Sequence, residues 1–184
     1  MDLLLIRHAQ TRQDPSVPSS QWRLTERAYK ACEGLAKRSR EHNLSRIITS
    51  EELKAKETGR VLAECLGVPW STAPNLHEHE RSGVPYMEQE VWLGRLESLF
   101  KHPDDLILGN ETGTQARQRF DSAVRDILSR YPNEPLAIIT HASVMSLFVA
   151  HYNEVNVLEF WQSLRMPDVV RVSTPEFKQL TSTP

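Results

Sequence analysis

Short apolar runs alternate along the chain with longer segments in which apolar residues recur every three or four positions. The runs, each typical of a strand, occupy residues 3–6, 46–49, 70–72, 136–140 and 169–172. Helical periodicity covers residues 25–42, 50–66, 88–100, 143–152 and 155–164, and a further helix begins near residue 114. Strands that alternate with helices in this order predict an α/β fold, a three-layer sandwich around a mostly parallel central sheet.

The predicted helices carry start and stop signals. Thr25, Ser50 and Thr114 are candidate N-caps, because their hydroxyl groups can accept from the free amides of a first turn. Gly67 and Pro69 end the second helix.

One domain accounts for the 184 residues. Residues 77–113 separate two strand–helix parts of the chain. We predict that they form a small helical cap insertion over the active site.

Composition excludes several classes of function. The formal net charge is −2 and there is no basic run, so the chain lacks the electrostatic footprint of a nucleic-acid-binding protein. No apolar stretch reaches the length of a membrane span, and the apolar start is too short for a signal peptide. We expect a cytoplasmic protein with no membrane partner, and a homodimer is left open. The two cysteines give no disulfide framework and no metal-type pair.

Chemically reactive residues follow three of the predicted strands. The first strand ends in Arg7 and His8, the second in Ser50 with Lys54 shortly after it, and the fourth in His141. Because ligands bind beyond the carboxyl ends of parallel strands, these side chains are expected to converge at one edge of the sheet.

This set suits phosphoryl transfer. The transferred group spreads negative charge over three oxygens, so cationic donors must surround it, and Arg7, Lys54 and His141 can supply them. His8 can be the nucleophile if its imidazole is neutral and oriented. Glu78, in the loop after the third strand, can protonate the leaving oxygen.

Six landmarks in the right order resemble the histidine phosphatase superfamily, also called phosphoglycerate mutase-like. They begin with the Arg7-His8 signature and end with the strand before His141; between them lie Leu24-Thr25, the helix from Ser50 to Leu66, Leu76-His77-Glu78, and Glu111-Thr112 with Arg119. The resemblance covers nearly the whole chain.

The resemblance implies a mechanism and a set of site residues. His8 would become phosphorylated, Glu78 would protonate the leaving alcohol and then assist water, and His141 would help to bind the phosphate. Arg7, Lys54, Gln10, Thr11 and Ala142 would contact the substrate. No metal and no organic cofactor is implied, and the partner is a small phosphorylated substrate.

Several positions depart from the family pattern. Ala9 and Ala142 stand where glycine is usual, and Lys54 replaces an arginine, which keeps the charge but loses the bidentate fork. Asp14 replaces an asparagine, and we expect its carboxylate to turn away from bound phosphate. Glu51 and Glu52 replace Pro-Leu and add negative charge nearby.

Simpler interpretations apply to the remaining candidates. Arg81 is expected to be solvent-exposed, and Trp92, Leu96 and Phe100 to pack as core or cap. Arg119 is expected to support the core through an ion pair. The cluster at residues 77–80 does not have the spacing of a His-Glu-x-x-His metal helix.

We therefore expect a phosphomonoesterase that acts on a small phosphorylated metabolite through a phosphohistidine. Three alternatives stay open. One is a mutase that returns phosphate to its substrate, although the chain is short for that role. Another is a phosphoprotein phosphatase, which a helical cap would disfavour. The last is a degenerate phosphate-binding module with little turnover, which Ala9, Asp14 and Lys54 keep open.

Overall fold

The computed structural model describes residues 2–180. Its sheet has five strands: β1 (Asp2–Arg7), β2 (Arg46–Thr49), β3 (Trp70–Thr72), β4 (Leu136–Thr140) and β5 (Asp168–Ser173). Their order is β3-β2-β4-β1-β5. All neighbouring pairs are parallel except β1 and β5, which are antiparallel. The predicted mostly parallel sheet is confirmed.

Helices follow the strands as the pattern predicted. They are α1 (Glu26–Ser39), α2 (Leu53–Leu66), α3 (Gln89–Lys101), α4 (Gly113–Arg130), α5 (Ala142–Tyr152) and α6 (Val157–Ser163), with short 3₁₀ turns at Ser19–Gln21 and Arg40–His42.

Two apolar layers cover the two faces of the sheet. Successive residues of β1 point to opposite faces, so Leu3 and Leu5 join one buried cluster while Leu4 and Ile6 join the other. Helices α4 and α5 cover the first face, and α1 and α2 cover the second. The result is the predicted three-layer α/β sandwich, in which the three inner strands β1, β2 and β4 are buried on both sides.

Helix α3 occupies the segment predicted to be a cap. Leu96, Leu99 and Phe100 pack in a third buried cluster with Ala116 of α4 and Leu147 of α5. This confirms that the apolar stripe of α3 serves packing. That residues 77–113 act as a cap over the site stays a prediction.

Two predicted helix starts are wrong. Helix α2 begins at Leu53 and has Glu52 at its N-cap position, so Ser50 lies outside the helix. Helix α4 begins at Gly113, and its capping box joins Thr112 to Gln115, so Thr114 is already helical. The cap at Thr25 is confirmed, since its hydroxyl accepts from the amide of Ala28.

No described helix has the length and apolar character needed to cross a membrane. Cys32 and Cys65 are free thiols.

Candidate active site

Three strand ends bring the predicted site residues to one edge of the sheet. Arg7 at the end of β1 is in register with Thr140 at the end of β4, and β2 ends beside β4. His8 and His141, the residues directly after β1 and β4, therefore face each other, with 5.2 Å between the centroids of their rings. Ser50, directly after β2, places its Oγ 2.9 Å from Nε2 of His141.

The His8 ring is held in one orientation. Its backbone amide donates to the carbonyl of Thr140, and the next amide, that of Ala9, donates to Oγ1 of Thr58 on α2. Nδ1 of His8 lies 2.8 Å from the carbonyl oxygen of Ala9. A carbonyl only accepts, so Nδ1 carries the proton.

The imidazole of His8 is neutral. Burial, with help from the positive charge of Lys54, lowers its pKa to about 3. A neutral ring with its proton on Nδ1 leaves the lone pair on Nε2, and this is the tautomer that an imidazole nucleophile requires.

His141 is completely buried, and its surroundings are polar. Nε2 lies near Oγ of Ser50 and 3.5 Å from Oε1 of Glu52, while Nδ1 has no hydrogen-bond partner within residues 2–180. Burial, and after it the charge of Lys54, lowers the pKa of His141 well below its usual value. Both rings of the pair are therefore neutral.

The carboxylate of Glu78 is fixed at the start of α5. It accepts from the amides of Ser143 and Val144, each at 3.1 Å, and from the amide of His79. Free amides at a helix N-terminus stabilise a negative charge. Burial raises the pKa of this carboxyl, but the charge of Arg81 and these amides outweigh it and bring the pKa to about 2. Glu78 is therefore ionised in this geometry.

Lys54 is paired with Glu52, a carboxylate that the sequence placed near the site but did not assign to this lysine. The ammonium group is buried and lies 2.5 Å from Oε2 of Glu52 and 2.8 Å from the carbonyl oxygen of Ser19. The other oxygen of Glu52 accepts from the amide of Glu78 at 2.9 Å. Glu52 thus connects Lys54, His141 and the loop of Glu78.

Two arginines flank the histidine pair. Nη1 of Arg7 donates to the carbonyl of Leu164 at 2.7 Å, and its buried Nε has no hydrogen-bond partner in the described part of the chain. Arg81 lies over the ring of Trp92, 4.5 Å from its centroid. Its charge lowers the pKa values of both Glu78 and Glu52, and its side chain is only partly exposed.

The other predicted substrate contacts lie next to the histidines. Gln10 is exposed, and Ala142 is the buried first residue of α5. Thr11 forms an isolated antiparallel β-bridge with Leu24. Their contacts with substrate stay predictions. The carboxylate of Asp14 accepts from the amide and the hydroxyl of Ser16. That it turns away from bound phosphate stays a prediction.

Arg119 forms the predicted ion pair, with Nη2 at 2.6 Å from Glu111. Its guanidinium also donates to three backbone carbonyls of the loop after β3, those of Asn75, His77 and Glu78. The arginine therefore supports the loop that carries the buried carboxylate. Among residues 2–180, no group of three or more His, Cys, Asp or Glu side chains is placed so that it could hold a metal ion.

A comparison with models of protein families shows to which family the chain belongs. The model of the histidine phosphatase superfamily, branch 1, matches residues 3–179. The chain belongs to this superfamily. No curated protein matches the chain in sequence.

Solved histidine phosphatase-like structures share the fold at low sequence identity. The chain is similar to YhfR of Bacillus stearothermophilus, with a TM-score of 0.78 and 20% identity over 98% of this chain and 95% of that one. It is similar to a mycobacterial glucosyl-3-phosphoglycerate phosphatase in complex with inorganic phosphate, with a TM-score of 0.76 and 16% identity over 99% and 95% of the two chains. A phosphoserine phosphatase mutant from Entamoeba histolytica, in complex with phosphoserine, gives a TM-score of 0.75 and 12% identity over 99% and 95%.

Proposed function

We propose that the chain is a phosphomonoesterase that hydrolyses small phosphorylated metabolites through a phosphohistidine on His8. The observation that carries this proposal is the state of His8. Its ring is neutral, its proton is fixed on Nδ1 by the Ala9 carbonyl, and it faces His141 at the edge of the sheet where ligands of α/β proteins bind.

In the first step, Nε2 of His8 attacks phosphorus and the bond from phosphorus to the ester oxygen breaks. The imidazole becomes positively charged, and the hydrogen bond from Nδ1 to Ala9 stabilises that charge. The leaving oxygen takes up a proton through Glu78. Because the pKa of Glu78 is about 2, its carboxylate must first receive that proton, and the negative charge of a bound phosphoryl group raises its affinity for one.

In the second step, the ionised carboxylate of Glu78 accepts a proton from water as the water attacks the phosphohistidine. The bond between phosphorus and Nε2 breaks, and its electron pair returns to the imidazole. Glu78 suits this role because three backbone amides hold its carboxylate in one position.

The proposed substrate class rests on charge and on the relatives. Arg7 and Arg81 supply positive charge beside the histidines, as a phosphate ester requires. The mycobacterial and Entamoeba structures carry the names of phosphatases of small metabolites.

One observation favours a second candidate, a binding module with little turnover. Two of the three N–H groups of Lys54 already have partners, Ser19 and Glu52, so at most one remains for a substrate. In this second candidate the fold binds phosphate esters and releases them unchanged.

A panel of phosphate esters assayed for free phosphate tests the proposal. The parent chain should release phosphate, and His8→Asn should lose several orders of magnitude of turnover, since about 1.4 kcal/mol of transition-state stabilisation is a factor of ten. Asparagine is the matched replacement because its amide can still donate to the Ala9 carbonyl. Equal phosphate release by both proteins would disprove the proposal, and ester binding without release by the parent would select the binding module.

A further inference from the structure

Glu52 introduces a negative charge among the groups proposed to hold the phosphoryl group. Its carboxylate lies 2.5 Å from Nζ of Lys54 and 3.5 Å from Nε2 of His141, and its side chain is 11% exposed. Lys54 and His141 are two of the residues that the family resemblance implies as phosphate contacts. A carboxylate so placed neutralises the lysine and repels any anion that approaches it.

The carboxylate is fixed by partners on two elements. Glu52 is the N-cap residue of α2, and one of its oxygens accepts from the amide of Glu78 in the loop after β3. Glu52 also lines an open cavity of about 410 Å³, together with Glu51 and Lys56.

Cations and carboxylates both surround the histidine pair. Three cations, Arg7, Lys54 and Arg81, and the carboxylate of Glu78 act on the two neutral rings. Glu52 adds a second carboxylate, 3.5 Å from Nε2 of His141. Coulomb energy scales with the product of the two charges, so each carboxylate penalises a dianion about twice as much as a monoanion.

We propose that Glu52 is a specificity-determining residue that makes this site select phosphoryl groups in the singly charged form. The proposal rests on the function proposed above and deepens it. A monoanionic ester carries its own proton, which Glu78 can relay from the phosphoryl oxygen to the leaving oxygen. The ester ROPO₃H⁻ and neutral His8 then give the alcohol and a phosphohistidine of net charge −1, and water converts the latter to H₂PO₄⁻ and neutral His8.

Two anions of the same tetrahedral shape test the charge preference without any change of pH. Sulfate is a dianion and perchlorate is a monoanion near neutral pH, and calorimetry gives the ratio of their affinities. In Glu52→Gln, whose amide oxygen can still accept from Glu78, the ratio should shift toward sulfate by about tenfold or more. The matched control is Glu51→Gln, because Glu51 is an exposed neighbour of equal charge. Its ratio should stay within about twofold of the parent value.

A measurement on the parent chain keeps the test independent of how the variant folds. Phosphorus NMR of bound methylphosphonate should give a pKa for its second proton that lies above that of the free ligand. A pKa at or below the free value would overturn the proposal. So would an unchanged sulfate ratio in folded Glu52→Gln, or a sulfate complex in which Glu52 has turned into the neighbouring cavity.

The same measurements distinguish failure of the charge selection from failure of the proposed function. If no ester is hydrolysed but the anion ratio still shifts in Glu52→Gln, charge selection stands and the phosphomonoesterase proposal fails. If esters are hydrolysed through His8 while the ratio is unchanged, the enzyme stands and charge selection fails.

Discussion

Nη2 of Arg119 lies 3.2 Å from the carbonyl oxygen of Glu78, so α4 directly supports the peptide that carries the buried carboxylate. The same guanidinium pairs with Glu111 and has 15% of its side chain exposed. Arg119 therefore connects α4 to the loop that follows β3.

We predict that Arg119→Met lowers the free energy of unfolding by about 3 kcal/mol, because it leaves Glu111 without its buried partner. It should also lower kcat about tenfold while KM stays within about twofold, since a displaced Glu78 affects the leaving group more than binding. Urea unfolding and steady-state kinetics measure the two effects. Arg60→Met is the matched control on α2, where the exposed pair with Glu64 is worth less than about 1 kcal/mol. A folded Arg119→Met with unchanged kcat would show that the support has no bearing on turnover.

We predict that Glu78→Gln lowers kcat by about 10²- to 10⁴-fold. The loss should be greater for alkyl phosphates than for p-nitrophenyl phosphate, because an alkoxide needs protonation as it leaves and a nitrophenolate does not. Parallel kinetics on the two ester classes measure this difference. An equal loss for both classes would contradict the assignment of Glu78 to the leaving oxygen.

We predict that acid destabilises the fold through His8. Its pKa is about 3 when folded and about 6.5 when unfolded, so between these values the unfolded chain binds a proton that the folded chain does not. Stability therefore rises with pH across this window, and it is lost on acidification at up to about 1.4 kcal/mol per pH unit for this residue.

Urea unfolding of the parent and His8→Asn at several pH values measures this contribution. Below about pH 5.5 the slope for the variant should be smaller by about 1.4 kcal/mol per pH unit, and above about pH 7.5 the two slopes should coincide. Identical slopes throughout the acid range would mean that His8 is protonated in the folded chain.

We predict that Gly59→Ala destabilises the fold, because α2 lies directly against β2 at this position. A Cβ at Gly59 would approach Cγ2 of Thr49 to 2.2 Å, which forces the helix or the strand to move. The expected loss is about 1–3 kcal/mol by thermal unfolding. The matched control is Gly94→Ala in α3, where a Cβ meets nothing within 4 Å, and alanine should stabilise the helix by up to about 1 kcal/mol. Equal effects of the two substitutions would contradict the close contact of α2 with the sheet.

The meeting of His8 and His141 could be predicted because it follows from sheet topology. Apolar runs mark β1 and β4, and parallel pairing then places the next residue of each at the same edge. That Arg119 forms an ion pair was predicted as well, whereas its partner, Glu111, is known only from the structure.

The helix starts were predicted less well, because a hydroxyl group can either cap a helix or hydrogen-bond to a side chain far away in the sequence. Ser50 looked like an N-cap, but its Oγ lies against Nε2 of His141, a contact between residues far apart in the chain. For α4 a better signal was present, since Thr112 and Gln115 have the spacing of a capping box.

The roles of Glu52 and Arg81 could not be predicted from the sequence. Glu51 and Glu52 are neighbours of the same type, and only the path of the chain into α2 decides which one turns toward Lys54. Arg81 was expected in solvent, and its contact with Trp92 depends on how α3 packs beside the loop. Both are tertiary contacts for which residue type and spacing give no signal.

The most direct test of the account is to trap the phosphorylated chain. The parent is mixed with an ester, quenched in alkali within the first turnovers, and mapped by peptide mass spectrometry. The account predicts an acid-labile phosphate on His8, and none in His8→Asn. Continued phosphate release with the label on another residue, or on no residue, would contradict it.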